Sequence, residues 1–228
     1  QNAYDLPVQS HLSENMGEIE WVREHCTDAE FYGDAYDNYG LFGEDHRNDR
    51  HIKTVMAHCV YSSDDEIKRL YDNGVFVAHC PASNVNLSSG IAPIRRYIDE
   101  GLKIGLGSDV AGGHTESMLS AVCDAVQVSK LYWRIIDQSK LPLTFDEAFF
   151  LGTKGGGEFF GKVGSFEEGY DFSAVVLDDA VIPYPGELSL HDRLERAAYL
   201  SLDLIGLHAK YVSGKKIFDH MAEERRSI

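Results

Sequence analysis

Short apolar runs alternating with helical stretches constrain this chain more than any other feature. Val8-Gln9-Ser10, Thr54-Val55-Met56-Ala57, Val75-Phe76-Val77-Ala78 and Lys103-Ile104-Gly105-Leu106 have the length and composition of strands. The segment from Met16 to Cys26 is helical, with Ile19 and Val22 on one face. Ser63-Asp64-Asp65-Glu66 has capping-box spacing and opens a helix that carries Ile67, Leu70 and Tyr71 and stops at Gly74. A third helix spans Ile91 to Glu100, with Pro93 near its first turn and Gly101 as its stop. A longer amphipathic helix runs from about Glu116 to Ile136, and Thr144-Phe145-Asp146-Glu147 caps another through Leu151. Strands separated by helices form βα units and a parallel sheet, so the expected fold class is α/β. The four units counted suit an open sheet or part of a (β/α)8 barrel, whose closure takes eight.

Beyond Gly155-Gly156-Gly157 the character changes. The turn-rich stretch Gly164 to Asp171 leads into a strand over Phe172 to Leu177. Ala209 to Val212, Ser213-Gly214 and Lys215 to Phe218 form a hairpin with a two-residue turn. Asp192 to Ser201 is expected to be helical, and the charged tail from Asp219 to be a frayed helix. Residues 1–160 are thus one expected unit, and 161–228 a β-rich segment with helices.

Composition removes several function classes. The 37 acidic and 21 basic side chains leave a net charge of −16, which argues against a nucleic-acid partner. A neutral or cationic substrate fits better. No apolar run approaches the roughly 18 residues that span a bilayer, and no secretory-type leader opens the chain. No membrane association and a cytoplasmic location are therefore expected. The four cysteines form no Cys-x-x-Cys pair, and all are expected to be reduced and mainly packing.

The chemistry lies where the apolar runs stop. His11, His58, His79 and Asp109 each follow a strand, the end of a parallel sheet where active sites form. A hydrolytic metal centre needs imidazoles or carboxylates on a Zn2+-like ion, an open position for water and a base for its proton. His11 could be a ligand, and Asp109 could complete the sphere or take the proton. Glu14, expected one helical turn beyond His11, could deliver that proton to a leaving group, and His58 could face the hydroxide or hold the substrate. Taken singly, each has an ordinary structural reading: Glu14 as a first-turn helix carboxylate, Asp109 as a cap, His79 as an inert strand-end residue. The remaining histidines lie in charged or helical contexts, and His114 alone among them stands close to Asp109.

These residues carry a resemblance. His11-Leu12-Ser13-Glu14-Asn15, Met56-Ala57-His58-Cys59, Ala78-His79-Cys80-Pro81-Ala82-Ser83-Asn84 and Gly105-Leu106-Gly107-Ser108-Asp109-Val110-Ala111-Gly112-Gly113 resemble successive motifs of the amidohydrolase superfamily, most closely its guanine-deaminating members. The resemblance implies the last four βα units of a (β/α)8 barrel plus part of a small β-sandwich. It implies zinc, with His11 and Asp109 as ligands, and a catalytic set of Glu14, His58 and Asp109. The substrate would be a purine held by His11, Glu14, His58 and Asp109, and guanine would be hydrolysed to xanthine and ammonia. It also implies a homodimer. The family's His-x-His pair, which supplies two further zinc ligands, does not occur in these 228 residues. Those ligands are therefore expected to lie outside the chain, which alone should bind zinc weakly and lack activity. Two alternatives stay open. One is a related deaminase acting on 8-oxoguanine, a thiomethyl- or homocysteinyl-adenosine, or an aminotriazine; the other is a non-catalytic half-barrel.

Overall fold

The structure, a computed structural model, describes residues 6–45 and 50–220. The chain runs β1 (Val8–Leu12), α1 (Met16–His25), α2 (Asp34–Asp37), β2 (Glu44–Asp45), β3 (Arg50–His51) and β4 (Thr54–His58). It continues through α3 (Asp64–Asp72), β5 (Phe76–His79), α4 (Pro81–Asn86), α5 (Ile94–Asp99), β6 (Lys103–Leu106), α6 (Met118–Ile135) and α7 (Phe145–Phe150). The last elements are β7 (Ala174–Leu177), α8 (Leu190–Tyr199), α9 (Leu202–Ile205), β8 (Leu207–Val212) and β9 (Lys215–Asp219).

β1, β4, β5 and β6 form a parallel sheet in that order. Each strand lies beside its sequence neighbour in the sheet, as successive βα units require. The register places His11 opposite Ala57, Leu12 opposite His58, and His79 opposite Leu106, which aligns the carboxyl ends of all the strands. Their apolar residues Leu12, Met56, Val77 and Ile104 are buried together with Ile67 and Leu70 of α3, Tyr97 of α5 and Val122, Ala125 and Val126 of α6.

Local chemistry explains the helices that cover this sheet. In α3 the Ser63 hydroxyl accepts from the Glu66 amide, acidic residues fill the first turn, and Gly74 takes the left-handed conformation beyond the end (φ +62°). Leu70 is fully buried at its centre. Leu70→Ala is expected to lower the unfolding free energy by about 2–5 kcal/mol, read as a lower urea midpoint with an unchanged slope. α7 carries a reciprocal capping box between Thr144 and Glu147. Arg95 grips the same Glu147 carboxylate at 2.7 and 2.8 Å, tying α5 to α7 and pulling the Glu147 pKa down to about 2. α7 runs on into a π-helical turn over Leu151–Gly155. Its glycines lie against β6: a Cβ on Gly155 would sit 2.9 Å from the Ile104 carbonyl oxygen.

β7, β8 and β9 form a separate antiparallel sheet. Ser213 and Gly214 turn its hairpin with φ of +46° and +76°, the geometry expected of a two-residue turn. The Asp203 carboxylate accepts from the Ser117 hydroxyl at 2.7 Å and the Leu119 amide at 3.3 Å, anchoring α9 to the first turn of α6.

Several expectations shift. α4 was not anticipated; the helix expected from Ile91 starts at Ile94, with Pro93 as its N-cap. The strand expected from Phe172 begins at Ala174. α8 starts at Leu190, because Ser189 rather than a later residue accepts from the Asp192 amide. β9 runs to Asp219 where a helix was expected, and the tail beyond His220 lies outside the described residues. The capping box read at Ser63 is made on one side only, since the Glu66 carboxylate points elsewhere. Among the described residues no helix is long and apolar enough to cross a membrane, and all four cysteines are free thiols.

Candidate active site

The parallel register brings His11, Glu14, His58 and Asp109 to one end of the sheet. His11 is not past its strand but inside it, exposed on β1 at the sheet's edge. Its ring stacks on that of His58, with centroids 5.3 Å apart and planes inclined by 19°. His58 ends β4, is 1% exposed and takes φ +73°. The next residue, Cys59, is also left-handed, and the buried Tyr97 hydroxyl donates to its carbonyl at 2.6 Å.

The His58 Nδ1 lies 2.8 Å from the Asn84 Oδ1. With the amide carbonyl turned toward the ring, Nδ1 is the donor, and in the neutral imidazole Nε2 is then the acceptor. Nε2 stands 3.8 Å from a Glu14 oxygen and 3.9 Å from an Asp109 oxygen. Three acceptors thus converge at separations too long for direct hydrogen bonds. Such a space suits a water molecule or a ligand's N–H groups.

Glu14 reaches this space by a different route from the one its spacing suggested. It is not a helix residue: Ser13 turns the chain with φ +47°, Asn15 is the N-cap, and α1 begins only at Met16. The Glu14 amide donates to the Glu18 carboxylate at 3.0 Å, and the Ser89 hydroxyl donates to one Glu14 side-chain oxygen at 2.7 Å. The other oxygen faces His58.

Asp109 lies three positions beyond β6 with φ +47°, and no helix starts until Met118, so it is not a cap. Its loop folds over α4, where the Asn86 amide donates to the Gly112 carbonyl at 2.7 Å. A Cβ on Gly112 would sit 2.8 Å from an Asp109 carboxylate oxygen and 2.6 Å from the Ser83 hydroxyl. A Cβ on Gly113 would sit 2.0 Å from the Ser108 carbonyl oxygen, a backbone atom, so glycine is required there for the loop to close. Ser13, His58 and Asp109 are all left-handed non-glycine residues, a conformation that costs on the order of 1–3 kcal/mol each and clusters at functional sites.

The walls are neutral. His79 is buried, its Nδ1 has no hydrogen-bond partner among the described residues, and burial beside His58 lowers its pKa to about 3. Protonation of His79 therefore favours the unfolded chain, whose imidazole titrates at the ordinary 6.5. Its stabilising contribution is complete above 6.5 and declines as pH falls toward 3. Melting temperatures across that range are expected to drop more steeply in the parent than in His79→Asn. Burial pushes the Cys80 thiol up to about 12 and the Cys59 thiol up as well, so neither supplies a thiolate.

His114 is exposed, His25 stacks on Trp21, and His191 pairs with Asp146; none joins the cluster. Asn84 and Ser89 were missed as participants. Asn84 stood in a quoted motif without a role, and Ser89 lies in a Ser-Ser-Gly turn with no distinguishing signal. A cavity of about 570 Å3 beside Leu102, Ile104, Glu147, Phe150 and Leu151 shares none of these side chains.

The donor types here, imidazole nitrogen and carboxylate oxygen, suit a zinc-like ion. Their number falls short: among the described residues no three such groups are placed to hold one.

Comparison with known proteins gives a consistent set of matches. The amidohydrolase family profile matches residues 2–211. Guanine deaminase from Dictyostelium discoideum is 38% identical over 218 residues, which is 92% of this chain and 46% of that protein. The crystal structure of guanine deaminase from C. acetobutylicum, with guanine bound in its active site, superposes with a TM-score of 0.87 at 46% identity, over 94% of this chain and 49% of the other. An adenosine deaminase from Xanthomonas campestris with bound zinc shares the fold at 21% identity and a TM-score of 0.75, over 98% of this chain and 49% of that one. The chain spans about half the length of the curated relatives it matches.

Proposed function

The chain belongs to the amidohydrolase family, and from that premise we propose that it carries one half of a guanine deaminase active site. The convergence of the His58 Nε2 with the Glu14 and Asp109 carboxylates at 3.8 and 3.9 Å carries this reading. The likeness to guanine deaminases over more than nine-tenths of the chain supports guanine as the substrate. Residues 1–160 would be the last four βα units of a (β/α)8 barrel and 161–228 part of a β-sandwich, a division consistent with the parallel and antiparallel sheets.

In this reading His11 and Asp109 would be the donors the chain gives a zinc ion, and the remaining ligands would come from a His-x-His segment. Zinc, when bound, supplies a water molecule acidified to near neutral pH. Asp109 orients that water toward C2 of guanine. The His58 Nε2, its lone pair fixed by Asn84, accepts a hydrogen bond from the same water. As the new C–O bond forms at C2, Glu14 takes the water's proton and delivers it to N3. The proton left on the new C2 hydroxyl then passes to the exocyclic nitrogen, the C2–N bond breaks with its electron pair on nitrogen, and ammonia and xanthine remain. Glu14 suits this shuttle because the Ser89 hydroxyl holds one carboxylate oxygen and leaves the other free.

A hybrid enzyme tests the reading: this chain joined to the half of the C. acetobutylicum protein that it does not cover. Ammonia release from guanine, exceeding that from 8-oxoguanine, adenosine derivatives and aminotriazines, is the expected result. A folded, zinc-loaded hybrid that prefers another of these substrates would reassign the substrate. One that releases no ammonia from any of them would sink the reading.

A further inference from the structure

We infer that Glu66 is a positioning residue, which fixes the stance of Glu14 through Ser13 without touching the substrate. The inference rests on the reading of Glu14 as the proton carrier.

Glu66 is the third residue of α3 and is 1% exposed. Its spacing from Ser63 would let its carboxylate close the capping box on the helix's own first turn, as Glu147 does in α7. It does not. One oxygen instead accepts from the Ser13 hydroxyl at 2.7 Å, and the other from the Gly33 amide at 2.8 Å. Among the described residues no cation forms an ion pair with it, since nearby Arg69 is taken by Asp34 and Asp37. A buried carboxylate without a cation is a costly group, and burial raises its pKa. An apolar residue would pack the same place at lower cost.

What Glu66 holds is the bend that aims Glu14. Ser13 takes φ +47°, so the residue after it leaves the strand direction. The Ser13 carbonyl accepts from the Val60 amide at 3.1 Å and the Tyr61 amide at 2.9 Å, joining the turn to the loop just after His58. Ser13 is thereby held from both sides: by Glu66 through its hydroxyl and by the Val60-Tyr61 segment through its carbonyl. Releasing the hydroxyl frees the turn to rotate, and the Glu14 carboxylate moves relative to the His58 Nε2. A shift of about 1 Å at a reacting group can cost a hundredfold in rate.

Three variants of the hybrid enzyme test this. Ser13→Ala and Glu66→Ala are expected to lower kcat about 10–100-fold, with KM for guanine and zinc content unchanged. Glu66→Gln, whose amide can accept from Gly33 and donate to Ser13, is expected to restore most of the rate. A purely structural role would instead lower the melting temperature and leave the kcat of the remaining folded enzyme intact, which would overturn the inference. Should Glu66→Ala not fold, Ser13→Ala carries the same test, because it removes a single hydroxyl. Hydrogen exchange at the Val60 and Tyr61 amides gives a readout independent of substrate. Faster exchange in Ser13→Ala supports the link from Glu66 to this turn, and unchanged exchange rules it out. Failure of the parent hybrid to deaminate guanine would count against the proposed function, whereas the exchange rates of the Val60 and Tyr61 amides test the Glu66–Ser13 link by itself.

Discussion

Glu14→Gln in the hybrid enzyme is expected to lower kcat for guanine by about 10²–10⁴-fold, the usual contribution of a positioned acid-base group. Gln preserves the shape of the side chain and still accepts the Ser89 hydrogen bond through its carbonyl oxygen. What it removes is the capacity to take a proton from water and hand it to the purine. Zinc content should not change, because Glu14 is not among the proposed donors, and the loss should fall mainly on kcat, because Gln keeps the shape and hydrogen-bonding reach of the side chain. The comparison with Ser89→Ala sharpens the test. That variant frees the second carboxylate oxygen but leaves a base in place, so its loss should be smaller than that of Glu14→Gln. Equal losses in the two would mean that Glu14 acts by orientation and not by proton transfer. An undiminished kcat in Glu14→Gln would remove Glu14 from the reaction altogether.

The parallel sheet and the gathering of polar residues at its carboxyl edge were legible because they follow from short-range rules. Apolar runs of four or so residues separated by amphipathic stretches allow few other arrangements, and the register then aligns the strand ends. What could not be read were the features beside the site that depend on a non-glycine backbone turn or a distant partner. The interval from His11 to Glu14 matches a helical turn, yet Ser13 breaks it with a positive φ that no local propensity demands. Ser63 and Glu66 match a capping box, yet the carboxylate is drawn to Ser13, 53 residues away. Asn84 acquires a role only because α4 folds back against the end of β4. In each case tertiary contact overrode the local reading, and these places lie beside the candidate site.

The chain alone is expected to bind zinc weakly, and the hybrid to bind it in stoichiometric amount. The argument is one of ligand number. A catalytic zinc site takes three protein donors and keeps a position open for water. The two proposed donors are His11 and Asp109, and no His-x-His segment occurs in these 228 residues to bring the others. Two donors also meet unequal entropic costs. Asp109 is already held by its closed glycine loop, whereas the His11 ring is exposed on an edge strand and must be immobilised on binding. On the proposed reading, a neighbouring strand of the hybrid would cover that edge and the added imidazoles would complete the set. His11→Ala and Asp109→Ala should then each weaken zinc binding by more than the about 10–100-fold typical of residues that only support a ligand. Asn84→Ala, which leaves both donors intact and disturbs only the His58 tautomer, should stay within that range. Metal analysis after dialysis against a weak chelator distinguishes the cases. Tight one-to-one zinc on the unassisted chain would show that its own residues complete the site, and the proposal of half a site would fall with it.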